Sequence, residues 1–168
     1  MRISFFWMVL KRLQGRDFVY EAWFKGRKSL DIGCGEGEFL RNDPTRIEGL
    51  EPNADAVARC KARGYRVTLG RVPGAPFPDG SFDAIHCRNV IEHMDTNTAY
   101  ALLKECERLV RPGGFVVIAS EVANKRFWNT FGHVKPYNPW SIRKLTRKET
   151  CEEFEAIDQL EHYDTGLS

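Results

Sequence analysis

Ser29-Leu30-Asp31-Ile32-Gly33-Cys34-Gly35-Glu36-Gly37-Glu38-Phe39-Leu40 is the stretch on which the reading of this chain turns. Leu30 and Ile32 have the pattern of a short buried strand. Gly33, Gly35 and Gly37 follow at every second position, and Phe39-Leu40 resumes an apolar pattern. A strand that breaks into glycines and then into a helix exposes backbone, and a ligand approaches closely where no side chain stands in the way. Each glycine also costs conformational entropy on folding, so three in five positions imply a use. Asp31 sits beside the turn as a hydrogen-bond acceptor.

The kind of ligand follows from what surrounds the glycines. No Lys-Ser or Lys-Thr pair follows them, as a phosphate-gripping P-loop requires. The spacing is G-x-G-x-G rather than the G-x-G-x-x-G of a dinucleotide turn, and Asp31, Glu36 and Glu38 crowd it. Acids repel pyrophosphate and suit a cofactor with a positive centre and no phosphate, a description that S-adenosylmethionine fits.

Asp31-Ile-Gly-Cys-Gly-Glu-Gly37 resembles the first motif of class I methyltransferases that use S-adenosylmethionine, in their type 11 branch. Further matches come in the same order: Glu51, Pro76-Phe-Pro-Asp-Gly-Ser-Phe-Asp83, Asn89-Val-Ile-Glu-His93 and Leu109-Val-Arg-Pro-Gly-Gly-Phe115. The resemblance covers roughly residues 26–145 and implies an α/β, Rossmann-like, doubly wound fold with a mostly parallel sheet flanked by helices. It implies a cofactor site made of Asp31, Gly33, Gly35, Glu51, Phe77 and Asn89. Glu51, at the end of a second strand, is placed to take both ribose hydroxyls. Phe77 is a candidate wall for the adenine, or an ordinary core aromatic, and Asn89 a candidate contact for the methionine part. His93 is a candidate base or a residue that orients its loop. His133 and Tyr137, in a His-x-x-x-Tyr stretch after the fifth strand, are candidates for proton handling or acceptor positioning. The family usually has an acid after a glycine at the third strand, where this chain has Gly70-Arg71.

With 168 residues, 42% of them hydrophobic and 29% charged, the chain suits one globular domain. A net charge of +2 is too small to argue for nucleic acid, which stays a minority alternative. Cys34, Cys60, Cys87, Cys106 and Cys151 lack paired spacing and read as free thiols in a cytoplasmic setting. Neither a disulfide framework nor a metal site is expected. Cys87, between His86 and Arg88 on a strand, reads as buried rather than nucleophilic. No apolar run is long enough to span a bilayer.

Two regions stay open. Residues 1–28 are aromatic and basic and read as a cap or lid before a methyltransferase domain at 29–168. For residues 3–10, a helix, a dimer contact and a membrane-surface segment are the alternatives. At the other end, Phe154–Leu160 reads as strand six. Too few residues then remain for a normal final antiparallel strand, so the sheet is expected to be short or incomplete there. Lys135, Arg143, Lys144, Arg147 and Lys148 form a basic cluster, and an acidic stretch follows from Glu149. Between them, Leu102, Leu103, Cys106, Leu109 and Val110 recur at helical spacing over Asn97–Leu109.

The expected activity is direct displacement, an acceptor atom attacking the methyl on sulfur, with a small-molecule or lipid acceptor favoured. An RNA or protein acceptor and a non-catalytic partner subunit are the rivals. Monomer and homodimer are both open.

Overall fold

The computed structural model describes residues 2–7, 18–121, 123–139, 141–142 and 153–158. Among these, seven strands form one sheet: β1 (Arg2–Trp7), β2 (Ser29–Ile32), β3 (Ile47–Glu51), β4 (Val67–Leu69), β5 (Phe82–Arg88), β6 (Val110–Ala119) and β7 (Glu153–Asp158). The strand order is β4-β3-β2-β5-β6-β1-β7, and every pairing is parallel. The chain leaves β2 toward β3 on one side, while β5 pairs with β2 on the other. The crevice above that switch point is where sheets of this class bind ligands.

Parallel strands need both faces covered, and both are. Leu30, Ile32, Ile85, Val116 and Ile118 face one core layer together with Leu102, Leu103, Cys106 and Leu109 of helix α1, which spans Thr96–Leu109. Ala84 and Val117 face the other layer, with Phe24, Phe39, Val57 and Cys60. Asp95 caps α1, its Oδ1 accepting from the amides of Asn97 and Thr98. The helix expected over Asn97–Leu109 is therefore present and starts one residue earlier, at Thr96, on its Asp95 cap. The earlier helix, Ala54–Ala62, begins on Asn53, whose Oδ1 accepts from the amides of Asp55 and Ala56. After the glycine turn only a short 3-10 segment forms, Leu40–Asn42, before Pro44.

The N-terminal residues differ from the reading given above. Arg2–Trp7 is a strand, not a helix, and it is inserted between β6 and β7 with Arg2 opposite Phe115 on one side and Glu153 on the other. Isoleucine and aromatic residues favour a pleated strand, and the edge of β6 offers unpaired backbone groups to receive it. The position next to β6 is thus filled by a parallel strand from the start of the chain. Tyr20–Phe24 forms one π-helical turn whose Tyr20 and Phe24 are buried in the second core layer. Strand β7 matches the expected strand six to within two residues. Of the 1–28 segment expected as a cap or lid, residues 1 and 8–17 lie outside the described residues, as do most of the basic cluster, the final acidic residues and Cys151.

Candidate functional site

The glycine turn is held from β3. The Gly33 amide donates to the Leu50 carbonyl at 2.8 Å, and the Gly35 amide donates to Glu51 Oε2 at 2.9 Å. Gly33 has φ +70°, and a Cβ there would overlap Val90 Cγ2, so the position admits only glycine. Glu51 Oε1 accepts from the Asn53 amide at 3.0 Å. The buried Glu51 carboxylate is thereby fixed by one backbone donor on each oxygen, and each oxygen keeps a lone pair for a ligand.

The acids of the turn all border the smaller cavity, and two of them are already partnered. Glu36 pairs with Arg59 at 2.6 Å, and this hydrogen bond holds its carboxyl below the usual range. Asp31 is buried and bound to His86, Oδ1 to Nδ1, at 2.6 Å, both side chains 5% exposed. The two residues are register neighbours on β2 and β5. His86 in turn stacks on Phe39 at 3.8 Å, with Phe24 edge-on at 5.7 Å. Nothing in the sequence marks His86 as a site residue. Its one signal is a polar side chain in an apolar strand, and its partnership depends on the order of the strands.

Two adjoining cavities occupy the crevice. One, of about 410 Å³, is bordered by Gly33, Glu51, Gly70, Arg71, Val72, Asn89 and His93. The other, of about 350 Å³, is bordered by Asp31, Gly35, Glu38, Phe39, His86 and Asn89. Gly33 and Asn89 border both and mark the junction. Asn89 adopts φ +55°, a conformation asparagine tolerates better than most residues. Of the cofactor-site residues expected from the sequence, Asp31, Gly33, Gly35, Glu51 and Asn89 come together here. Phe77 does not border either cavity; it packs edge-on against Phe82 at 5.2 Å, and the wall nearby is made by Val72. Arg71 stands exposed at the rim.

The other side of the cleft is built by two loops, after β5 and after β6. His93 Nδ1 lies 2.9 Å from the Gly132 carbonyl, and the amide of Val134 donates to the Glu92 carbonyl at 2.8 Å. His133 Nδ1 lies 3.1 Å from the Phe127 carbonyl, and the His93 and His133 rings meet at 4.9 Å. His93 borders the larger cavity. Tyr137 does not reach it. Its ring is buried and its hydroxyl donates to the Met94 carbonyl at 3.0 Å, so it braces one loop on the other. Burial raises the pKa of Tyr137, which keeps it a phenol.

Several residues serve the scaffold. Asp83 receives the Lys28 amide at 2.8 Å and Arg111 Nε at 2.6 Å, and the Arg111 bond is the main cause of its lowered pKa. Cys87 is fully buried and its thiol is pushed well up by that burial. Cys106 is likewise pushed up to about 12. The four described cysteines are free and buried.

A parallel sheet with a glycine turn, a buried acid at the end of the neighbouring strand and a divided cleft at the switch point defines a nucleoside-cofactor-binding domain. Residues 30–118 match the family model described as "Methyltransferase domain". The chain belongs to this family, and its cofactor is S-adenosylmethionine. It is 33% identical over 132 residues to a probable S-adenosylmethionine-dependent methyltransferase of Mycolicibacterium smegmatis, covering 76% of this chain and 49% of that one. It is 31% identical over 113 residues to the ubiquinone biosynthesis O-methyltransferase of Cronobacter sakazakii, covering 61% and 46%. Among solved structures, an S-adenosylmethionine-dependent methyltransferase from Archaeoglobus fulgidus superposes with a TM-score of 0.68 at 26% identity, covering 77% of this chain and 63% of that one. The chain spans about half the length of the curated relatives it matches.

Proposed function

We propose that this chain transfers a methyl group from S-adenosylmethionine to a hydroxyl of a small-molecule or lipid acceptor. The observation that carries this reading is the divided cleft. Its two parts meet at Gly33 and Asn89, with buried Glu51 and with His93 on the larger part and buried Asp31 on the smaller. The residues fit the cofactor chemically. Glu51 is fixed and retains acceptor capacity for ribose hydroxyls, Asp31 places negative charge near a cationic ligand, and Gly33 and Gly35 let the backbone approach.

Bound there, the cofactor supplies a methyl group already activated on a sulfonium. The protein's task is then mainly to orient the acceptor and exclude water. With Nδ1–H of His93 donated to the Gly132 carbonyl, Nε2 is the nitrogen without a proton, available to an acceptor hydroxyl. The choice of oxygen and of a small acceptor is supported by the likeness to ubiquinone biosynthesis O-methyltransferases. An apolar acceptor is further supported by Trp128 (65% exposed) and a fully exposed Phe131 on the loop that touches His93. No helix among the described residues is long and apolar enough to cross a membrane, so contact with a lipid acceptor would be made at a surface.

Calorimetric titration with S-adenosylmethionine and S-adenosylhomocysteine tests the cofactor site, with Glu51→Ala as control. A radiolabelled methyl screen over phenols, quinols and lipids then tests the acceptor. Binding lost in Glu51→Ala and label on a phenolic oxygen are expected. A folded protein that binds neither cofactor form would overturn the reading, and label appearing only on RNA or protein would overturn the acceptor class.

A further inference from the structure

We infer that Glu92, His93 and His133 form a divalent metal site beside the larger cavity, at its His93 edge, with Zn²⁺ as its best-fitting occupant. One ligand atom from each residue, a carboxylate oxygen and two ring nitrogens, lies within 4.8 Å of the others. The second observation is Glu92 itself. It is wholly buried, Oε2 accepts from Ser120 Oγ at 3.1 Å, and Oε1 has no hydrogen-bond partner. A buried carboxylate oxygen without a partner is costly, and a cation bound at that point removes the cost.

The histidines are prepared as metal ligands prepare. Each presents Nδ1 to a backbone carbonyl, His93 to Gly132 and His133 to Phe127. A carbonyl only accepts, so each Nδ1 carries the proton and each Nε2 is left bare. A second hydrogen bond of this kind fixes the tautomer and the ring direction of a ligating histidine. Two imidazoles and one carboxylate are a set that Zn²⁺ takes with a fourth position open. Bonds of about 2.0–2.1 Å in a tetrahedron bring ligand atoms to roughly 3.4 Å, so binding draws the three together by at most about 1.4 Å.

The site joins the loop after β5 to the loop after β6. Because His93 also borders the larger cavity, the open position would face the cleft. An acceptor hydroxyl bound there would give its proton to solvent water more readily, and its oxygen would then attack the methyl carbon as the carbon–sulfur bond breaks and the electron pair leaves with the thioether. In this role His93 holds the acceptor through the metal rather than taking the proton itself. That role rests on the methyl-transfer reading, whereas the metal binding does not.

The test uses the full chain stripped with a chelator and titrated with Co²⁺, followed by visible absorption, then with Zn²⁺ in competition. One equivalent of Co²⁺ with tetrahedral bands and no thiolate charge-transfer band is expected, displaced by Zn²⁺. His133→Ala and Glu92→Gln are expected to weaken Zn²⁺ binding by more than the roughly 10- to 100-fold that loss of an outer partner costs. His133→Ala is the key variant, because His133 borders neither cavity and the variant's fold is checked by melting and by S-adenosylmethionine binding. A folded wild-type protein that binds no metal, or a His133→Ala protein that binds it as well as wild type, overturns the site. Metal binding retained by a protein that binds no S-adenosylmethionine overturns the methyl-transfer reading and leaves the metal site standing.

Discussion

The two sides of the cleft are built by different means. The cofactor side is backbone geometry: Gly33 and Gly35 bond to Leu50 and Glu51, and the turn follows directly from one strand. The acceptor side is a set of braces between loops far apart in the chain, His93 to Gly132 and Tyr137 to Met94. A backbone-built site tolerates almost no added atom. A braced site tolerates exchange of its side chains but shifts when a brace is cut. The first arrangement suits a ligand of one fixed shape, the second a ligand whose shape can vary.

Substitutions on the two sides should therefore separate ligand affinity from stability. The largest effect is expected at Glu51→Ala, which removes the carboxylate proposed to accept two charge-assisted hydrogen bonds from the ribose. Affinity for S-adenosylmethionine should fall by roughly 100-fold, about 3 kcal/mol, in calorimetry. If affinity holds, the cofactor side is not organised around Glu51. Gly33→Ala comes next. Strain at positive φ and overlap with Val90 should cost about 2–3 kcal/mol in urea unfolding, with loss of cofactor binding.

On the acceptor side, Tyr137→Phe removes one brace and leaves the Met94 carbonyl without its donor. Stability should fall by about 1–2 kcal/mol while cofactor affinity stays within about twofold, which melting and calorimetry on the same sample would check. Equal loss of both would show that the two sides are not separable.

The smallest effect belongs to a part of the scaffold away from the cleft. Glu105 accepts from Ala75 at 2.9 Å and pairs with Arg108 at 2.7 Å, and the Arg108 bond is the first cause of its lowered pKa. A carboxyl with a depressed folded pKa contributes stability above its unfolded value of about 4.3, and that stability is lost as pH falls through the folded pKa. Unfolding followed from pH 7 downward should show Glu105→Gln less pH-dependent below about pH 4.3 than wild type. Cofactor affinity at pH 7 should be unchanged.

Residues 29–40 make clear why the cofactor side was readable and the acceptor side was not. Gly33 and Gly35 declare a local backbone need, and Glu51 follows at the end of the next strand, all within about twenty residues. Phe77 misled because an aromatic near a glycine-rich loop suits a pocket wall and a core equally, and only its packing on Phe82 decides. Tyr137 misled because nothing local shows that its hydroxyl is already engaged by Met94. The apolar run at residues 3–10 suited several structures, and β1 became a strand because a sheet edge was there to receive it.

From the sequence alone came the strand, the glycine turn, the amphipathic helix read over Asn97–Leu109 and the class of cofactor. All of these rest on interactions within a few residues, where φ, periodicity and charge are visible in order. Tertiary structure alone brought His86 to Asp31, set β1 between β6 and β7, and gathered Glu92, His93 and His133. The reason is physical: strand order and loop docking are settled by which faces the whole chain can bury, and no short stretch contains that information.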